Sequence, residues 1–118
     1  MDADEMKQRT RAFALRVIRV VEALPKSRTA DVIGAQLLRS GTSVGANYRA
    51  ACRAKSRADF ISKMGTVEEE ADESIYWMEM LLSVSLLKKA RLADLLNEAS
   101  QLVAIAVSSI NTAKKHRS

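Results

Sequence analysis

Six carboxylates crowd one short stretch of this chain: Glu68, Glu69, Glu70, Asp72, Glu73 and Glu79 fall within residues 64–82, where no Lys or Arg occurs. Carboxylates at helical spacing are one half of a di-metal site in a helical bundle. The other half is histidine, carried in Glu-x-x-His pairs on two helices. The chain has a single histidine, His116, in the basic tail KKHRS, and no Glu-x-x-His. No metal is therefore expected. Cys52, the only cysteine, has no histidine near it in sequence. Arg49 precedes it on the same helix, but a small buried cysteine is a simpler reading than an activated thiol. The stretch GTSVGA at 41–46 has neither the spacing nor the Lys-Ser/Thr ending of a phosphate loop. The residues give no catalytic constellation, so neither enzyme activity nor a cofactor is expected.

Charge is the stronger signal. The net charge is +5, yet residues 6–63 carry a net +10 and residues 64–82 a net −6. Such segregation suits a polyanion on the basic half, or a second copy pairing basic with acidic. Arg16, Arg19, Arg39, Arg49, Arg53, Lys55 and Arg57 are the candidate phosphate-binding residues, within a wider basic set that includes Arg9, Arg11 and Lys63. Aromatic residues make up 4% of the chain, too few for a base-stacking platform. Nucleic-acid binding would then be phosphate-driven, without sequence preference, and steeply salt-dependent. The alternative is a structural or protein-interaction scaffold in which the two charged faces satisfy each other.

The elements that position these charges follow from periodicity. A chain of 118 residues makes one domain with a real core, and 47% hydrophobic residues with a single proline favour helices. Apolar or small residues recur at alternating spacings of four and three in four segments. The first seam is Met6, Thr10, Phe13, Val17, Val20, Leu24; the second is Ile33, Leu37, Ser40, Val44, Asn47, Ala51. The third is Phe60, Met64, Val67, Ala71, Ser74, Met78, Leu81, Ser85; the fourth is Leu92, Leu96, Ala99, Val103, Ala106, Ile110, Ala113. Short polar joints place consecutive helices antiparallel. The expected fold is all-α, an up-down-up-down four-helix bundle over residues 1–118, with helices at about 5–24, 30–53, 57–87 and 92–114. Thr29 and Ser56 are the expected N-caps of the second and third helices. Lys114, Lys115 and Arg117 complement the dipole of the last. No apolar run is long enough to span a membrane, no signal peptide is visible, and a cytoplasmic location is expected.

Two glycines, Gly41 and Gly45, sit inside the second helix, where each costs roughly 1 kcal/mol against alanine. With Gly34 and Cys52 they align in a band about 40° wide, beside the apolar seam. A stripe without side chains lets another backbone approach, either within the bundle or from a second subunit. Gly34, Gly41 and Gly45 are therefore candidate subunit-interface positions, as are Trp77, Glu69 and Glu73. The two glutamates are like-charged neighbours one turn apart that a basic surface would relieve. Ser43 and Asn47 take structural polar roles.

The run QLLRSGTSVGANYRAACRAKSRADFISK, followed by EADESIYWMEML, resembles the bacterial four helix bundle protein family, which includes the proteins of intervening sequences in 23S rRNA genes. The family is related to the accessory variability determinant of diversity-generating retroelements. Ser43, Asn47, Tyr48, Arg53, Ser56, Asp59, Phe60, Glu70, Asp72, Glu73 and Trp77 match its pattern, whereas Ala50 stands where the family usually has Glu. The resemblance implies a homo-oligomer, a ring-shaped homopentamer. From the retroelement relatives it implies a basic surface for RNA or DNA and a reverse transcriptase as partner. It brings no settled activity.

Overall fold

The computed structural model describes residues 1–116, so Arg117 lies outside the described residues. Four helices follow one another: α1 (Ala3–Glu22), α2 (Arg28–Cys52), α3 (Arg57–Ser83) and α4 (Lys89–Lys115). They pack side by side into a rod of 52 × 21 × 21 Å. α2 packs extensively on α3 and α3 on α4, α1 leans on α2, and α1 barely touches α4. Four antiparallel helices in chain order, with no strand among the described residues, give the expected bundle.

α1, α2 and α3 start where the sequence offers a cap, whereas Lys88 before α4 makes no side-chain cap bond. The Asp2 carboxylate accepts the Glu5 N–H at 2.8 Å, and the Ser56 hydroxyl accepts the Asp59 N–H at 3.0 Å. For α2 the cap is Ser27, which accepts the Ala30 N–H at 3.0 Å, in place of the expected Thr29. Ser27 holds the extended backbone a cap requires, and Thr29 already lies in the first turn. α3 stops at Ser83, four residues before the expected end. There Ser85 adopts φ 59°, the Leu86 N–H bonds to the Leu81 carbonyl and the Ser85 N–H to that of Leu82, each at 3.0 Å. This is a Schellman stop with serine at the left-handed position that glycine usually takes. Periodicity hides it, because Leu86 and Leu87 stay half-buried and so continue the apolar pattern.

The seams of α1, α2 and α3 are buried largely as their spacing indicates, with Phe13, Val17, Leu37, Val44, Met64, Val67, Met78 and Leu81 at 1% exposure or less. In α4 the buried set is Leu92, Leu95, Ala99, Leu102 and Ala106, so Leu96 and Val103 move to the half-buried flank. Leucines at 95 and 96 and apolar residues at 102 and 103 allow either phase, and contact with α3 selects one. Ser40 and Ser74 are fully buried and hydrogen-bond to each other across α2 and α3 at 3.0 Å. Buried Thr10 donates to the Met6 carbonyl at 3.0 Å. Among the described residues no buried side-chain N or O lacks a partner.

The glycine stripe faces α1 of the same chain. A Cβ at Gly41 would stand 2.8 Å from both Val17 methyls, one at Gly45 3.1 Å from Thr10 Oγ1, and one at Gly34 3.1 Å from Leu24. The close approach that removed these side chains is thus internal, which corrects their assignment to a contact between subunits. Cys52, expected to be buried with them, is exposed, because α2 ends there and α1 begins at the same end of the rod.

Candidate nucleic-acid interface

The outer side of the α1–α2 seam is an open groove of about 490 Å³ with Lys7, Gln8, Arg11 and Ala14 on the α1 wall. Thr42, Ala46 and Arg49 form the α2 wall, and Gly45 and Thr10 form the floor. It continues into a second hollow bounded by Lys7, Arg49, Ala50 and Arg53. Lys7 and Arg11 stand one turn apart on α1, and Arg53, the C-cap of α2, follows Arg49 by four residues, so each pair projects from one side of its helix. Among the described residues none of these four cations makes an ion pair; the pairs present are Arg9–Glu98, Arg39–Glu70, Arg39–Glu73 and Lys63–Asp59. Glycine packing brings the two helices close, so like charges from both converge on one strip of surface.

Other candidate residues separate from this strip. Arg39 reaches across to α3, bonding Glu70 at 3.0 Å and Glu73 at the same time, so it is not available to phosphate as the sequence led us to expect. Glu73 is thereby occupied within the chain and also accepts from Trp77 Nε1 at 3.4 Å. Those two residues therefore meet each other, and Glu69 alone of the three acidic-face candidates is exposed. Arg16 lies seven residues beyond Arg9 on α1, on the stripe from which Arg9 bonds Glu98 at 2.7 and 2.8 Å and Gln101 at 2.6 Å on α4. Arg19 is exposed near the far end of α1. Lys55 and Arg57 sit at the α2–α3 joint; the Lys55 N–H caps onto the Asp59 carboxylate at 3.0 Å, and Arg57 donates to the His116 carbonyl. Ser43 donates to the Arg39 carbonyl at 2.6 Å and Asn47 to that of Ser43 at 2.8 Å, both within α2.

Lys7 is the residue the sequence reading missed. Its signal was present: with Arg11 it makes an i, i+4 pair on a helix that must run antiparallel to the one carrying Arg49 and Arg53. Tyr48, half-buried beside Arg49, has its phenol pushed up to about 12, first by burial and then by the Cys52 thiol against its hydroxyl. It stays protonated. Lys63 and the Lys55 N–H hold the Asp59 carboxyl below its ordinary range.

On α3 the carboxylates diverge: Glu70 and Glu73 turn to α2, while Glu69, Asp72 and Glu79 are exposed, as is Tyr76. Among the described residues no three His, Cys, Asp or Glu side chains gather where they could share a metal ion. No helix among them is long and apolar enough to cross a membrane.

The fold and this charge distribution define a small all-helical bundle with one basic seam. The chain belongs to the 23S rRNA-intervening sequence protein family, whose model matches residues 3–108. It is similar to a protein of unknown function from the S23 ribosomal protein family of Bacteroides thetaiotaomicron, known from a crystal structure. The two share 33% identity with a TM-score of 0.87, over 94% of this chain and 99% of that one. The curated proteins give no match.

Proposed function

We propose that this chain is a non-enzymatic accessory protein of the cytoplasm that binds nucleic acid through its α1–α2 groove, working as a homo-oligomer. The observation that carries the reading is the convergence of Lys7, Arg11, Arg49 and Arg53 from two helices, with no ion pair among the described residues. Phosphate is the ligand such a strip suits, and the family's name refers to 23S rRNA, a polyanion. Small and polar walls offer no base-reading edge and no stacking ring, so affinity comes from counterion release and lacks sequence preference. Anisotropy titration of the purified protein with a structured RNA tests this. Binding should weaken log-linearly with salt and vanish in K7Q/R11Q/R49Q/R53Q, with helicity unchanged. A quadruple variant that binds like the parent would refute the assignment.

One observation favours a second reading, an interaction scaffold. Asp72 and Glu79 stand one turn to either side of Tyr76 on α3, with Glu69 a further turn beyond Asp72, and Tyr76 is 53% exposed and braced edge-on by Trp77 at 4.9 Å. An aromatic anchor with a charged rim is the anatomy of a docking surface. In this reading the acidic stripe joins copies head to tail into a ring, five subunits by family resemblance. Mass measurement at low and high salt separates the readings: a ring that disperses with salt and binds no RNA supports the scaffold.

A further inference from the structure

We infer that the α1–α2 groove grips paired nucleic acid, holding the phosphates of both strands across one groove of a double helix; this rests on the nucleic-acid reading above. Gly45 packs on Thr10, which fixes the antiparallel register of the two helices. Lys7 then stands roughly level with Arg49, with Arg11 about one turn to one side and Arg53 about one turn to the other. At a rise of about 1.5 Å per residue the four cations span about 12 Å along the rod, in two rows whose helix axes lie about 8–10 Å apart. The pattern is two slanted rows, not one line.

A single strand offers one row of phosphates, and proteins that hold single strands without sequence preference add aromatic platforms for the bases. The groove has none. Its walls between the cations are Gln8, Ala14, Thr42 and Ala46. The ring beside Arg49, Tyr48, is half-buried and engaged with Cys52. A double helix instead presents two phosphate rows flanking a groove, about 6 Å wide for the minor groove of DNA. Duplex RNA also has a narrow groove between its backbones. Two rows of long, flexible cationic side chains match two rows of anions, and bases stacked inside a duplex need no platform. Asp4, one turn before Lys7 on the same face, sets the limit of the strip on α1, since a carboxylate there repels a further phosphate.

Anisotropy titration with a duplex RNA and a duplex DNA of two helical turns, and with the separated strands of each, tests the inference. At least one duplex should bind at least about tenfold more tightly than its own strands. Its salt slope should be about −3.6 for four phosphates, and K7Q/R11Q and R49Q/R53Q should each lower that slope to about −1.8. Comparing the RNA and DNA arms identifies which duplex is the natural ligand class. Strands that bind as tightly as duplexes, or a loss confined to one of the two variants, would overturn the two-strand grip and leave nucleic-acid binding standing. No binding to any probe at low salt would overturn both.

Discussion

Arg39 and Arg49 lie on the same helix, are the same residue type and are both exposed, yet their surroundings are opposite. Arg39 meets Glu70 and Glu73 on α3, and its charge is neutralised within the chain. Arg49 lines one groove with Lys7 and Arg11 of α1, and its charge adds to theirs. Helix positions explain the divergence. On a helical wheel the two arginines are about 80° apart, with Arg49 turned toward the glycine band that seats α1 and Arg39 turned away from it. What an arginine does on a bundle surface is thus decided by the helix across the seam.

Placing a carboxylate opposite Arg49 should make the α1–α2 seam behave like the α2–α3 seam. Lys7→Glu is expected to weaken RNA binding at least about tenfold at low salt, by removing one cation and pairing another. Next in size is the seam itself. Gly41→Ala gains helix propensity but forces Val17, fully buried, to move, so a net loss of about 1–2 kcal/mol is expected in urea unfolding. Gly65, with nothing within 4 Å of a Cβ, has the opposite expectation: Gly65→Ala should stabilise by about 0.5–1 kcal/mol. Freeing Arg39 through E70Q/E73Q should raise RNA affinity by about threefold, for a loss of no more than about 1 kcal/mol of stability. The smallest effect concerns alkaline pH. The Tyr48 phenol is raised from 10.0 to about 12 in the folded chain, so its contribution is whole below pH 10 and lost as pH rises toward about 12. Tyr48→Phe should flatten that part of the stability profile.

Most of the fold was legible because seams of spacing four and three have one phase wherever large and small residues alternate cleanly, as in Met64, Val67, Ala71, Ser74 and Met78. The phase of α4 was not, since adjacent leucines satisfy two phases and only the neighbouring helix discriminates. The end of α3 was missed because a serine, not a glycine, occupies φ 59°. The glycine stripe was visible as a close approach, but a stripe does not name its partner, and Val17, Thr10 and Leu24 supply one inside the chain. The candidate site was half legible: Arg49 and Arg53 were found, Lys7 was not, and Arg39 belonged elsewhere. Faces within one helix follow from sequence, whereas the level at which two helices meet follows from packing.

The most direct measurement compares R49Q/R53Q with R39Q in salt-dependent RNA titrations under identical conditions. Each variant removes arginine charge from the exposed face of α2. The account requires that R39Q bind within about twofold of the parent with the same salt slope, while R49Q/R53Q lose about half the slope and most of the affinity. Equal losses per arginine removed in both variants would contradict it, because the basic surface would then be a diffuse property of α2 and not a groove built with α1.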